Sequence, residues 1–266
     1  MLHLLKIEWL KLKNYRTFWI LFILYIISNY GVMRIAHFVY LDVADNVGKN
    51  KIAATLMGVN PFTFPSVWQT ATYMCSFLLF IPALLVIISV TNEFSYKTHR
   101  QNIVDGLSRM QFISVKLVLV VIASLLATLL AFLMGLTFGL TEGSTFSFDK
   151  IEYIGYFFIQ ALSYCSVAMV FSLLLKRSGL SIGVYFLYIV VLENLVGGIM
   201  SNNFGDSAGQ YLPLNSTDAL IPFPFFRKVT NNFLNVPNYS ILLPLAAAYL
   251  LLYFVFSVRR FKTDDL

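Results

Sequence analysis

The sequence predicts an all-α membrane protein: six transmembrane helices preceded by an amphipathic interfacial helix, in a single domain. Three observations carry this expectation. Of 266 residues, 58% are apolar and only 12% charged, about half the charge usual for soluble domains. Six apolar runs are each long enough to cross a hydrocarbon core of ~30 Å, which takes about 20 helical residues. The basic residues gather in short segments between those runs, as in cytoplasmic loops of membrane proteins. For that reason the net charge of +6 is read as orientation, not as a nucleic-acid footprint.

Residues 1–16 form the first element. Leu4, Leu5, Trp9 and Leu12 share one helical face and Lys6, Lys13 and Arg16 lie elsewhere. Such a helix lies along the membrane interface, and the competing reading is a basic tail that only sets orientation. No small-residue cleavage site follows, so the first run is expected to remain as a span. The spans are expected at 18–40, 67–91, 113–140, 151–175, 180–200 and 239–258. With the N-terminus inside, 13 Lys and Arg fall on the inner side and 6 on the outer, so both termini are expected in the cytoplasm. Trp19 and Trp68 fall at opposite expected interfaces.

Local signals punctuate these runs. Pro82 should kink the second span, and Pro244 lies in the first turns of the sixth. Ser108 and Gln111 read as a capping box opening the third. Gly135 and Gly139 form a GxxxG pair, either a close helix contact or a chance occurrence. Lys176, Arg177 and Gly179 read as a basic last turn and a glycine stop for the fourth. Cys75 and Cys165 lie in apolar runs and read as packed thiols. The outer segment 201–238 carries Pro213, Pro222, Pro224 and Pro237 among apolar residues. It is too long and apolar for a free loop, so it dips back into the membrane edge or caps a dimer.

Charges at membrane depth are the first candidate site. Glu193 lies 13 residues beyond Leu180, roughly 20 Å along a helix. A group there needs a partner, a proton or access to headgroups. The candidate partner of Glu193 is Arg34, at similar depth, or else polar groups of a second subunit; His37, also an intramembrane polar candidate, lies one turn further along the same face as Arg34.

The second candidate is the polar stretch 92–110 between the second and third spans. His99 to Asp105 fits about two helical turns ended by Gly106, and Ser108 starts the next helix. Held between two spans, it would act as a lever pushed by a cytoplasmic partner; the alternative is an ordinary polar loop. Catalytic chemistry has no support: there is no G-x-x-x-x-G-K-[ST], H-E-x-x-H or G-x-S-x-G pattern. His3, His37 and His99 fall in separate segments, so no metal site is expected.

From Asn92 to Lys116 the chain resembles permeases of the ABC-2 transporter family, closest to Bacteroidetes-type members. The shared pattern is Glu93 after the second span, Thr98 and Arg100, then Ser108 and Arg109 turning into a helix that carries Lys116. Lys97-Thr98 stands where many members have Gly-Thr. The resemblance implies an exporter permease of a bacterial inner membrane, working as a dimer and moving a hydrophobic or amphipathic substrate. It implies a separate cytoplasmic ABC ATPase subunit, with ATP and Mg bound on that partner and no cofactor on this chain. Glu93, Thr98, His99, Arg100, Asn102, Asp105 and Arg109 would be the coupling residues. Glu93 would tie them to the N-terminal helix through a basic residue such as Lys13 or Arg16. A multi-pass scaffold or sensor that moves nothing is the alternative.

Overall fold

A computed structural model describes residues 2–48, 60–98, 101, 108–205, 207–225 and 238–263. Among them every regular element is a helix: α1 (Leu2–Lys13), α2 (Arg16–Gly48), α3 (Val67–Ser76), α4 (Phe80–Ser95), α5 (Arg109–Thr141), α6 (Glu152–Leu175), α7 (Ser178–Phe186), α8 (Glu193–Phe204), α9 (Asn215–Asp218) and α10 (Tyr239–Thr263). A π-helical turn, Leu187–Leu192, fuses α7 to α8, and a 3-10 turn spans Ala208–Tyr211.

Five described helices are long and apolar enough to cross a membrane: α2, α5, α6, the α7–α8 run and α10. The pair α3 and α4, bent by 45° at a short break, adds a further crossing if counted as one. The chain is thus built as a multi-pass membrane protein. Apolar side chains such as Ile20, Ile27 and Phe38 on α2 and Leu251 and Leu252 on α10 point outward, where lipid rather than water is the fitting solvent.

The centre of the bundle is α6. Half of its apolar window is buried, against 17% for α2, α7–α8 and α10, and it packs against α3, α4, α5, α7 and α10. Small and polar residues on its inward face, Ala161, Ser163, Cys165, Ala168 and Ser172, let the neighbours approach. Cys75 and Cys165 are free and buried, as packed thiols should be.

The break between α3 and α4 has a local cause. Pro82 lies in the first turn of α4, where its missing N–H is harmless, but its ring blocks the carbonyl of Leu78. That carbonyl instead accepts the Ile81 N–H at 3.0 Å, in a tighter turn. Pro244 is carried inside α10. At the start of α5 both halves of the capping box are present: Gln111 N–H donates to Ser108 Oγ, and Ser108 N–H to Gln111 Oε1 at 3.0 Å.

The glycine pair is a close contact within the chain. A Cβ on Gly139 would lie 2.5 Å from the Phe64 ring, and one on Gly135 2.9 Å from Trp68. Three expectations need correction. Trp68 is no interfacial anchor: it is fully buried, stacks on Phe132 and donates its indole N–H to Ser147 O at 2.9 Å. The stop of α6 is Lys176, whose φ of 56° turns the chain, while Gly179 already lies in α7. Finally, α2 runs on to Gly48 rather than ending near Tyr40.

Candidate functional site

The charged side chains buried deepest near the N-terminal end of the bundle come from three elements. Glu8 lies on α1, Glu93 on the last turn of α4, and Lys116 on the second turn of α5. Lys116 is the only charge between residues 110 and 141, so the rest of α5 is apolar and the ammonium is carried into the protein with it. Its relative exposure is 2%. Such a group must be paired to stay charged.

The pairing is complete. Lys116 Nζ donates to Glu8 Oε2 at 2.6 Å and to Glu93 Oε1 at 3.2 Å. Lys11 Nζ donates to the same Glu93 oxygen at 2.8 Å and to Glu8 Oε1 at 3.3 Å. Thr98 Oγ1 donates to the remaining oxygen, Glu93 Oε2. Among the described residues, two carboxylates and two ammoniums therefore alternate around a neutral ring, and every carboxylate oxygen in it has a donor. Burial pulls the Lys11 pKa down, but its bonds to Glu93 and Glu8 outweigh this and hold it above the ordinary lysine value.

The ring fastens α1, α4 and α5 to one another at the foot of the polar stretch after α4. The expected partners of Glu93, Lys13 and Arg16, are not the ones used among the described residues. One helical turn separates Glu8 from Lys11, so both can face Glu93 and Lys116, and Lys13 and Arg16 point elsewhere, exposed. Glu8 was missed in the sequence. The available signal was its isolation, as the sole acid among the first 41 residues, three places before a lysine.

Other coupling residues are partly placed. Thr98 closes the ring. Arg109 Nη1 donates to Lys262 O at 2.6 Å, so it caps the last turn of α10 instead of facing the ring. Stacked Phe112 and Phe261, with centroids 4.9 Å apart, reinforce the same junction. Lys97 takes a left-handed conformation, φ 56°. His99, Arg100, Asn102 and Asp105 lie outside the described residues.

The intramembrane candidates do not come together. Glu193 is buried, at 4% exposure, but its Oε1 accepts the backbone N–H groups of Leu214 and of Asn215, the latter at 2.9 Å. It caps the short helix α9, whose unpaired N–H groups attract a carboxylate. No described ion pair joins it to Arg34, which is exposed. His37 Nε2 instead lies 2.7 Å from Glu142 Oε1 at the opposite end of the bundle from the ring, where Asn60 Nδ2 also donates to Glu142.

Segment 208–225 thus folds back among the chain's own helices. Asp218 accepts from Gln160 Nε2 at 2.8 Å and Tyr164 Oη at 3.0 Å. Tyr249 Oη donates to Tyr211 O at 2.9 Å, and Gln69 Nε2 to Pro222 O at 2.6 Å. Counted from Glu152, Phe204 and Tyr239, the contacts at Gln160, Tyr164, Glu193 and Tyr249 lie about 12–18 Å inside the helix ends. Glu193→Ala should strand one buried and one part-buried N–H group and lower stability by about 1–3 kcal/mol. Glu193→Gln keeps an acceptor oxygen and should cost much less. Thermal unfolding, with amide exchange followed at Leu214 and Asn215, distinguishes the two outcomes.

Residues 18–266 match the model of a family described as a protein of unknown function (DUF2705). No curated protein matches the chain.

Proposed function

Because the chain belongs to the DUF2705 family, whose description assigns no activity, its function has to be argued from the site, and we propose that it is the permease subunit of an ABC-2 type transporter. In this reading the bent pair α3–α4 is one span and six spans cross a bacterial inner membrane with both termini in the cytoplasm. A separate ABC ATPase binds ATP and Mg and supplies the work. A dimer of permeases exports a hydrophobic or amphipathic substrate.

One observation carries the proposal: the buried ring of Glu8, Lys11, Glu93 and Lys116 sits at the foot of the polar stretch between α4 and α5. A force on that stretch reaches α4 and α5 through the backbone and α1 through the ring, so three helices move as one body. Lys97 adds support. It adopts the positive φ that glycine takes without strain, at the position where many of the resembling permeases carry glycine.

The test is co-expression with the P-loop ATPase encoded nearest its gene. The ATPase should co-purify, and its hydrolysis rate should rise on binding. Arg100→Glu combined with Asp105→Arg should abolish the stimulation while the permease keeps its melting temperature. Failure to co-purify, or full stimulation by the double variant, would overturn the assignment.

A further inference from the structure

Two clefts meet beside the buried ring. The first lies between α1, α2, α4 and α5, has about 120 Å³ of free space and is walled by apolar side chains, among them Phe18, Phe22, Leu119, Leu126 and Leu130. The second, about 340 Å³, is lined among others by Lys11, Glu93, Tyr15, Asn92, Tyr96 and Thr98. Glu8, Leu12, Phe18 and Leu85 line both, so the clefts adjoin.

We propose that this joint cleft binds a bilayer glycerophospholipid, with an acyl chain in the apolar part and the phosphate at Lys11. Three features select that occupant. The apolar wall on α5 runs from Val115 to Leu130, about 22 Å at helical rise, longer than the ~15 Å half-thickness of a hydrocarbon core. It therefore suits one long, narrow, flexible chain entering from one leaflet. Polarity appears only at one end of the groove, as in an amphiphile. That end also offers a cation: among the ring's members only Lys11 is substantially exposed, at 38%, and Glu8 and Glu93 engage two of its three N–H donors. A phosphodiester oxygen takes the third, with Tyr15 and Tyr96 lining the same cleft; Glu8 and Glu93 line it too, and their oxygens already accept from Lys11, Lys116 and Thr98. A free phosphate would leave the apolar part empty.

The site does not depend on transport, and its test does not either. Native mass spectrometry of the purified protein should show a retained phospholipid. After delipidation, phosphatidylglycerol should rebind and diacylglycerol, which lacks the phosphate, should bind far more weakly. Leu126→Trp should shorten the apolar part by about two methylenes and weaken binding about tenfold. Leu251→Trp, in the separate apolar cleft between α5, α6 and α10, should leave it unchanged. Should Leu126→Trp unfold, the wild-type protein still decides the matter. Phosphatidylglycerol carrying a photoreactive acyl chain should label peptides from 18–25 and 115–130. Equal labelling of 247–254, equal binding of diacylglycerol, or protein that purifies without lipid and rebinds none would each overturn the proposal.

Discussion

Lys116→Met should lower the stability of the protein by about 3–5 kcal/mol, the usual cost of removing one partner from a buried ion pair. The loss follows from the geometry of the ring. Lys116 is the deeper of its two cations, and without it the one ammonium that Glu8 and Glu93 share among the described residues is Lys11, which is partly exposed. Two buried carboxylates would then face one ammonium. The double variant Lys116→Met with Glu8→Gln restores neutrality and should recover much of the loss, whereas Glu8→Gln alone should not be stabilising. Thermal unfolding in detergent, followed by tryptophan fluorescence, checks all three. A Lys116→Met protein within 1 kcal/mol of wild type would mean that the ring is open to water.

Gly139→Leu is the second large effect. The new Cβ alone would lie 2.5 Å from a Phe64 ring carbon. Phe64 has little room to move, since it packs on Trp68 at 5.3 Å and Phe146 at 5.2 Å. Overpacking of this kind costs about 1–3 kcal/mol, and a branched side chain against an aromatic cluster belongs at the upper end. Gly135→Leu should behave alike, against Trp68. Gly183→Ala in α7 is the control: nothing lies within 4 Å of its added Cβ, and alanine is the better helix former by about 1 kcal/mol. Because the glycines meet side chains of their own chain, Gly139→Leu should lower the melting temperature without first changing the oligomeric state seen by light scattering.

Features decided by a few neighbouring residues were legible in the sequence. The Ser108 capping box is complete, the Pro82 break falls where its ring meets the preceding turn, and the helix ends lie close to the apolar runs. What failed was decided between elements. Helix α2 overruns its apolar stretch by eight residues, because Asp42 and Asp45 are as compatible with a helix reaching past the membrane as with a loop. Trp68 looked like an interfacial ring and is a core residue, since Gly135, which accepts it, lies far along the sequence in α5. At the site, Glu93 was identified but not its partners: composition marks a buried acid as needing a cation, and only the placement of α1 selects Lys11 over Lys13. The same holds for Glu193, whose partners are backbone amides and leave no trace in the side chains of the sequence.

The π-helical turn at Leu187–Leu192 has a consequence for everything after it. A widened turn accommodates one extra residue, and one residue in a helix corresponds to a rotation of about 100°. Were this turn to wind back to ordinary pitch, Glu193 would swing away from Leu214 and Asn215, and α9 would lose its cap. The wide turn is thus what phases the Glu193 carboxylate onto the folded-back loop beside it.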